Sequence, residues 1–345
     1  MSFEGYFART ESQLIDFWGR RQNIPVYNRT FSIFGRSVQL SSNEAVVLQA
    51  ADFSQPLYSS APPVDDKVFN IQIVVRPSRV PPGPLPNNLF DHIQYTGHDQ
   101  WLAIQVGGWG HCQVNLAAGK ALAILSPELG SRPESISRFL LNTILNNFMK
   151  SLGLGFLHTT AVYRSGRILM MMADHNSGKS TTALHLALAG YAFVSDSQIY
   201  IEHGVEGIRL FGFPVGRVKL RQDMLPHFPT LQPFLEPEPG QGETKFRLDL
   251  HRVDPRLVYD EVIRPEKTIL CLLSRNDRGK TSLSPASVSE TLETAMLNSL
   301  FYDSAEAWRK NFVQIERFVQ TADRYHLSVG TDNARLLQVV GKLME

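Results

Sequence analysis

Cysteine is scarce in this chain: two in 345 residues, Cys112 and Cys271. They lie far apart in apolar, strand-like runs, so the pattern excludes a disulfide framework and reads as two buried thiols in a reducing compartment. Excess charge is also missing. A net charge of +1 gives no electrostatic case for nucleic acid or for an anionic membrane surface. Long hydrophobic runs are absent too. Stretches such as ILMMMA fall far short of the roughly 20 apolar residues a membrane span requires. The opening MSFEGYFARTESQ has no basic patch followed by an apolar run, so no secretory signal is expected. There is no internal repeat and no low-complexity tract. A soluble, cytoplasmic protein is the expectation.

What is present is an ordinary globular composition, 43% hydrophobic, over a length that suits two domains. The first half reads as strands. Thr10 to Arg21 is the one helix expected there, with Thr10 and Gln13 at capping-box spacing. The runs RTFSIFG, SVQL, KVFNIQIVV, FDHIQY, WLAIQV, HCQVNL and ALAIL then recur between Gly, Asn and Asp, as in an antiparallel meander. RPSRVPPGPLPNN within this region reads as a plain surface loop. A helix is expected from Pro133 to Lys150, with Ser131 and Glu134 spaced as a capping box and Pro133 in its first turn. Ile136, Phe139, Leu140, Ile144 and Phe148 fall on one of its faces. The predicted division is an N-terminal β-rich domain, 1–128, and a second domain, 129–345.

The chemistry-bearing stretch is MMMADHNSGKSTTALHLALAG, residues 170–190. Ala173, Gly178, Lys179 and Ser180 meet the pattern [AG]-x-x-x-x-G-K-[ST]. In such a loop successive backbone N–H groups and the following helix N-terminus surround phosphates. Lys179 would neutralise the β- and γ-phosphates, and the Ser180 hydroxyl would coordinate Mg²⁺. Two glycines of the usual loop are absent. Gly178 is kept where backbone meets phosphate, Ala173 needs a negative φ, and Asn176 is a residue that visits left-handed conformations readily. RILMMM before the loop reads as a buried strand and STTALHLALAG after it as a helix stopped by Gly190, so the required strand–loop–helix is predicted. Residues 173–181, namely Ala173, Asp174, His175, Asn176, Ser177, Gly178, Lys179, Ser180 and Thr181, are the expected nucleotide contacts. A second GKT, Gly279-Lys280-Thr281, lies between two strands and reads as a hairpin turn.

Two features set this loop apart from switch-type and motor NTPases. The strand before it follows AVYR through Ser165-Gly166, a hairpin turn that predicts an antiparallel neighbour. The acidic partner arrives early: AFVSD places Asp196 at the end of the next strand, where it could bind Mg²⁺ or accept a proton from an attacking hydroxyl. Arg217, Lys219, Lys245 and Arg247 are basic residues that could clamp a transferring phosphate, and LQPFLEPEPGQGETK could cover the site as a lid. His98, His111 and Cys112 match no standard zinc spacing.

Residues 150 to 275 resemble the HPr kinase/phosphorylase catalytic domain and, more distantly, phosphoenolpyruvate carboxykinase. The resemblance rests on Leu157-His158 before the hairpin, Ala173-Asp174 for the family's Gly-Asp, Gly178-Lys179-Ser180, and Val194-Ser195-Asp196 for the acidic strand end. Thr181 and Ser197 depart from it, the latter replacing the second acid of a pair. Ile208-Arg209-Leu210-Phe211-Gly212 keeps only part of a later signature, which puts reverse phosphorolysis in doubt. The resemblance implies an α/β (α+β) fold, a mixed-sheet P-loop kinase domain joined to an N-terminal mostly antiparallel β domain. It implies ATP and Mg²⁺ as cofactors, Asp196, His158 and Lys179 as catalytic residues, and Ser180 and Asp196 at the metal. The expected activity is transfer of the γ-phosphate to a hydroxyl, on a serine of a protein or peptide or on a small-molecule alcohol. The alternative is an ATP-binding regulatory module without transfer. No nucleic acid or membrane partner is expected, and a homo-oligomer is left open.

Overall fold

The computed structural model describes residues 26–54, 68–78, 83–86, 88–174, 176–237, 245–276, 279–299 and 305–345. The expected helix Thr10–Arg21 and residue His175 lie outside them. The chain divides into two compact units that change over between Leu152 and Gly153, the second also taking Glu306–Glu345. That changeover lies downstream of the 128/129 boundary expected from sequence, because the helical stretch after Pro127 groups with the first unit.

The first unit holds β1 (Tyr27–Ile33), β2 (Arg36–Ser42), β3 (Val68–Val75), β4 (Ile93–His98), β5 (Trp101–Val106), β6 (Gly110–Asn115) and β7 (Lys120–Leu125). They form one sheet in the order β1-β2-β3-β7-β6-β5-β4. The strands lie where the apolar–polar alternation places them, but a simple meander is not what forms. β2–β3 and β3–β7 are parallel, while the hairpin-linked neighbours are antiparallel. Parallel pairing needs a crossover rather than a tight turn, and the long connections on either side of β3 allow it. The helix expected over 133–150 is a continuous run of Pro133–Ile136, a π-helical turn Ser137–Leu141, and Asn142–Ser151. Its buried face includes Phe148, stacked on Phe69 of β3 with ring centroids 4.4 Å apart. The expected capping box does not form. Arg132 takes the N-cap position without a side-chain cap, and the Ser131 hydroxyl donates instead to the Glu128 carbonyl at 3.1 Å.

The second unit holds β8 (Gly155–His158), β9 (Thr160–Arg164), β10 (Arg167–Met172), β11 (Ala192–Gly204) and β12 (Gly207–Val215). It continues through β13 (Arg217–Arg221), β14 (Leu235–Pro237), β15 (Lys245–Asp249), β16 (Lys267–Arg275), β17 (Ser282–Pro285) and β18 (Asp323–Val329). The main sheet has the order β12-β11-β9-β10-β16-β18-β17, with β8 also paired to β11. It is a mixed α/β layer: β10, β16 and β18 run parallel, and β9 is antiparallel to β10. Ser165 and Gly166, both at positive φ (48° and 79°), close the β9–β10 hairpin as that turn demands.

The central strands are buried on both faces, which is why they read as continuous apolar runs. Along β10, Leu169 and Met171 enter one core with Ala183, Leu186 and Ala187 of the helix Lys179–Leu188 and with Val339 and Val340 of the helix Asn333–Leu343. Ile168, Met170 and Met172 enter the other, with Ile315, Phe318 and Val319 of the helix Ala305–Thr321. Successive side chains of a strand point to opposite faces, so one short run serves two cores. A separate three-stranded sheet, β13-β15-β14, packs its apolar face against the first of these cores. The second GKT does not form a hairpin turn. β16 and β17 flank β18 on opposite edges, because β16 is buried on both faces and takes β10 and β18 as its neighbours.

Candidate functional site

The loop leaves the C-terminal end of β10, at the end of the parallel pair β10–β16, and enters the helix Lys179–Leu188. Among its described residues Asn176 (φ 63°) and Gly178 (φ 92°) take left-handed backbone, the conformations that let the loop curl. Gly178 is also the N-cap residue, its carbonyl accepting from Thr182 N–H at 2.9 Å. The first turn of the helix, whose leading N–H groups have no partner within a helix, therefore aims those groups and the positive end of its dipole into the loop.

Lys179 folds back across this loop. Its ammonium donates to the Ala173 carbonyl at 2.7 Å and to the Asp174 carbonyl at 2.9 Å. Ser177 donates its hydroxyl to the same Asp174 carbonyl at 2.8 Å. Burial pulls the Lys179 pKa below its ordinary value, opposed by the charges of Asp196 and Asp174. An ammonium held by two carbonyls and partly desolvated is one that an anion would stabilise.

Asp196 faces this lysine. The sequence placed it at a strand end. In fact β11 runs for 13 residues, and Asp196 sits inside it at a register shift between Ser195 and Gln198. The Ser195 hydroxyl accepts from the N–H groups of Ser197 (3.2 Å) and Gln198 (3.3 Å), holding the irregular stretch. Such a bulge breaks strict alternation and re-aims a side chain. Here it sends the carboxylate toward the loop. Oδ1 accepts from the Thr160 hydroxyl at 2.8 Å, Oδ2 from Lys219 N–H at 3.3 Å, and the Ser180 hydroxyl bonds the same group. Burial nonetheless pushes the Asp196 pKa up to about 6, against the pull of those three donors and of Lys179.

Lys179, Ser180 and Asp196 thus come together, with Ala173, Asp174, Asn176, Ser177 and Gly178 around them. Thr181 lies half-buried in the first helical turn. His158, at the end of β8, pairs with Gln198 and donates its N–H to the Asn298 carbonyl at 3.1 Å, so its backbone lies beside the bulge. Lys219 reaches the site through its main chain. Arg217, Lys245 and Arg247 lie on the strands of the small sheet, and the stretch expected as a lid includes β14 and the first residue of β15, with 238–244 outside the described residues. Sequence reasoning missed two residues. Thr160 gave no signal beyond its nearness to His158. Arg275 ends β16, and its stem lies over Gly178, where an added Cβ would meet its Cγ and Cδ at 3.7 Å.

Among the described residues no three His, Cys, Asp or Glu side chains gather as a metal cage. No described helix is long and apolar enough to cross a membrane. No protein-family model matches the chain, and no curated protein matches it in sequence. Among solved structures it is similar to the Hpr(Ser) kinase/phosphatase from Coxiella burnetii, over 55% of this chain and 95% of that one. The two are 10% identical and the TM-score is 0.29. The functional reading rests on the side chains rather than on that likeness.

Proposed function

We propose that this protein is an ATP-dependent kinase that transfers the γ-phosphoryl group to a hydroxyl. The observation that carries the reading is the meeting of Lys179, Ser180 and Asp196 at the mouth of a strand–loop–helix. In this reading the ammonium of Lys179 leaves the carbonyls of Ala173 and Asp174 for phosphate oxygens, a charge-assisted bond far stronger than the two it replaces. The helix N–H groups take the remaining phosphate charge.

The Ser180 hydroxyl and Asp196 carboxylate form an all-oxygen donor pair that suits Mg²⁺, which takes one or two protein ligands and completes its shell with phosphate and water. Bound there, the ion would offset phosphate charge. Asp196 orients the acceptor hydroxyl and takes its proton as the oxygen–phosphorus bond forms and the bond to the ADP oxygen breaks. Without metal or nucleotide, burial holds this carboxyl above the ordinary aspartate range, so it is more basic than an exposed one. Thr181 follows Ser180 in the first helical turn and the His158 backbone pairs with Gln198 beside the bulge, and we assign both positioning roles.

Ser197, standing beside Asp196 in place of a second acid, favours a second reading, an ATP-binding regulatory module. Incubation with γ-labelled ATP, Mg²⁺, serine peptides and small alcohols separates them. Label transferred to an acceptor, and lost in Asp196→Asn, supports the kinase. Tight ATP binding with no transfer to any class of acceptor supports the module.

A further inference from the structure

We infer that the second unit carries a further ligand site, separate from the loop, that binds a small organic anion with an apolar body. It lies at the edge of the main sheet, where the helix Asn333–Leu343 meets β17 and β18. No residue of the loop site lines it, so the inference does not rest on the kinase reading.

β17 ends the sheet, with β18 and β16 standing between it and β10. Leu283 pairs with Leu327, so the two share the face that the helix covers, and Tyr325 lies on that face two residues before Leu327. On the helix, Arg335, Gln338, Val339, Lys342 and Leu343 are spaced i, i+3, i+4, i+7 and i+8, which puts them on one side of it. Strand edge and helix face enclose a pocket of about 450 Å³, within the roughly 300–1,000 Å³ usual for small-molecule sites. Val339 and Leu343 are buried at the margin of the core, and Leu283 and Tyr325 are half-buried. Together they make an apolar wall that the fold leaves partly open.

Charge decides which ligand suits that wall. No acidic side chain lines the pocket, while two cations do, Arg335 and Lys342, both exposed. The Arg335 guanidinium donates to the neutral Gln338 Oε1 at 2.6 Å, and neither cation pairs with a carboxylate among the described residues. Asp332, three residues before Arg335, is engaged at the helix start, where it accepts from the N–H groups of Ala334 and Arg335 at 2.9 and 3.2 Å. Glu345, three residues past Lys342, is exposed and lies outside the lining. A wholly apolar ligand would leave both cations unanswered, and a bare ion would leave the wall wet. A carboxylate carried on a ring or chain answers both, and its planar pair of oxygens matches the fork of Arg335.

The test is titration calorimetry with the full chain and no nucleotide. The probes are naphthoate, its neutral counterpart naphthamide, decanoate, and acetate as the charge without the body. Naphthoate should bind at least about fivefold more tightly than naphthamide or acetate, the worth of a partly exposed ion pair, and lose that advantage in high salt. Selective binding of decanoate instead supports the site with a chain as the body. The double variant Arg335→Gln, Lys342→Gln should lose the preference for the acid while naphthamide binding stays unchanged. Should that variant fail to fold, Lys342→Gln alone and the wild-type salt series carry the test. Lys179→Ala should bind naphthoate as wild type does. Equal binding of acid and amide, or binding of neither naphthoate nor decanoate, overturns the site. So does naphthoate binding that survives the double variant, or that disappears in Lys179→Ala and so belongs to the loop. The labelled-ATP assay decides the kinase reading separately.

Discussion

At the scale of single residues the site is a balance between two groups held against their preferences. Lys179 is partly desolvated on two carbonyls, and Asp196 is a carboxyl whose surroundings favour the proton. Lys179→Ala removes the one ammonium in the loop, so Mg-ATP affinity should fall by about 10- to 100-fold, the worth of a charge-assisted hydrogen bond. Calorimetric titration measures this, and an unchanged dissociation constant would show that the loop holds no phosphate. Asp196→Asn keeps the shape and removes the charge. It should leave ATP binding within a few-fold and cut phosphoryl transfer at least about 100-fold.

The same carboxyl makes a stability prediction. Its folded value, about 6, lies above the ordinary 3.8, so between those values the folded protein keeps a proton that the unfolded chain releases. Its contribution is therefore complete below about pH 4 and lost as pH rises through 6. Wild type should lose up to about 3 kcal/mol relative to Asp196→Asn across that window, less to the extent that water reaches this partly exposed residue. Urea denaturation of both proteins at pH 4.5 and pH 7.5 measures the difference. A gap that does not change with pH would mean that Asp196 titrates at its ordinary value in the folded protein.

At the scale of elements, the loop takes its course because Asn176 and Gly178 accept left-handed backbone. There is room for a methyl group at Gly178, since the nearest atoms would be 3.7 Å away, so Gly178→Ala tests backbone alone. A left-handed alanine costs about 1–2 kcal/mol, which should appear as roughly tenfold weaker ATP binding with a small drop in melting temperature. Asn176 offers the complementary test. Asn176→Gly should keep ATP binding and Asn176→Val should lose it, because valine resists a φ of 63°. Equal binding by both variants would show that Asn176 takes another conformation when nucleotide is bound.

At the scale of the whole molecule, the unit beginning at Gly153 contains both core clusters around β10 and every described residue of the site. A chain of residues 153–345 should therefore fold cooperatively and bind Mg-ATP within about threefold of the full-length affinity. Circular dichroism melting and calorimetry would check this; a fragment that folds but does not bind ATP would mean that the site needs residues before Gly153.

What the sequence alone determined is what local chemistry controls. Alternation marked β1 to β7 within a few residues, because one face of each strand must be apolar. Ser165-Gly166 marked the hairpin, and the Asn176, Gly178 and Lys179 spacing marked the loop, because these depend on φ and on neighbours within a turn. What the fold alone decided is long-range. β2–β3–β7 became parallel, and β18 came between β16 and β17, because hydrogen-bonding partners distant in sequence competed for the same edges. Asp196 was legible as an acid close to the loop, but its aim came from a bulge held by the Ser195 hydroxyl. Thr160 and the Lys219 N–H became its partners only when β9, β11 and β13 converged on one point. No spacing along a chain encodes that convergence, since it is set by how three strands pack against a shared core.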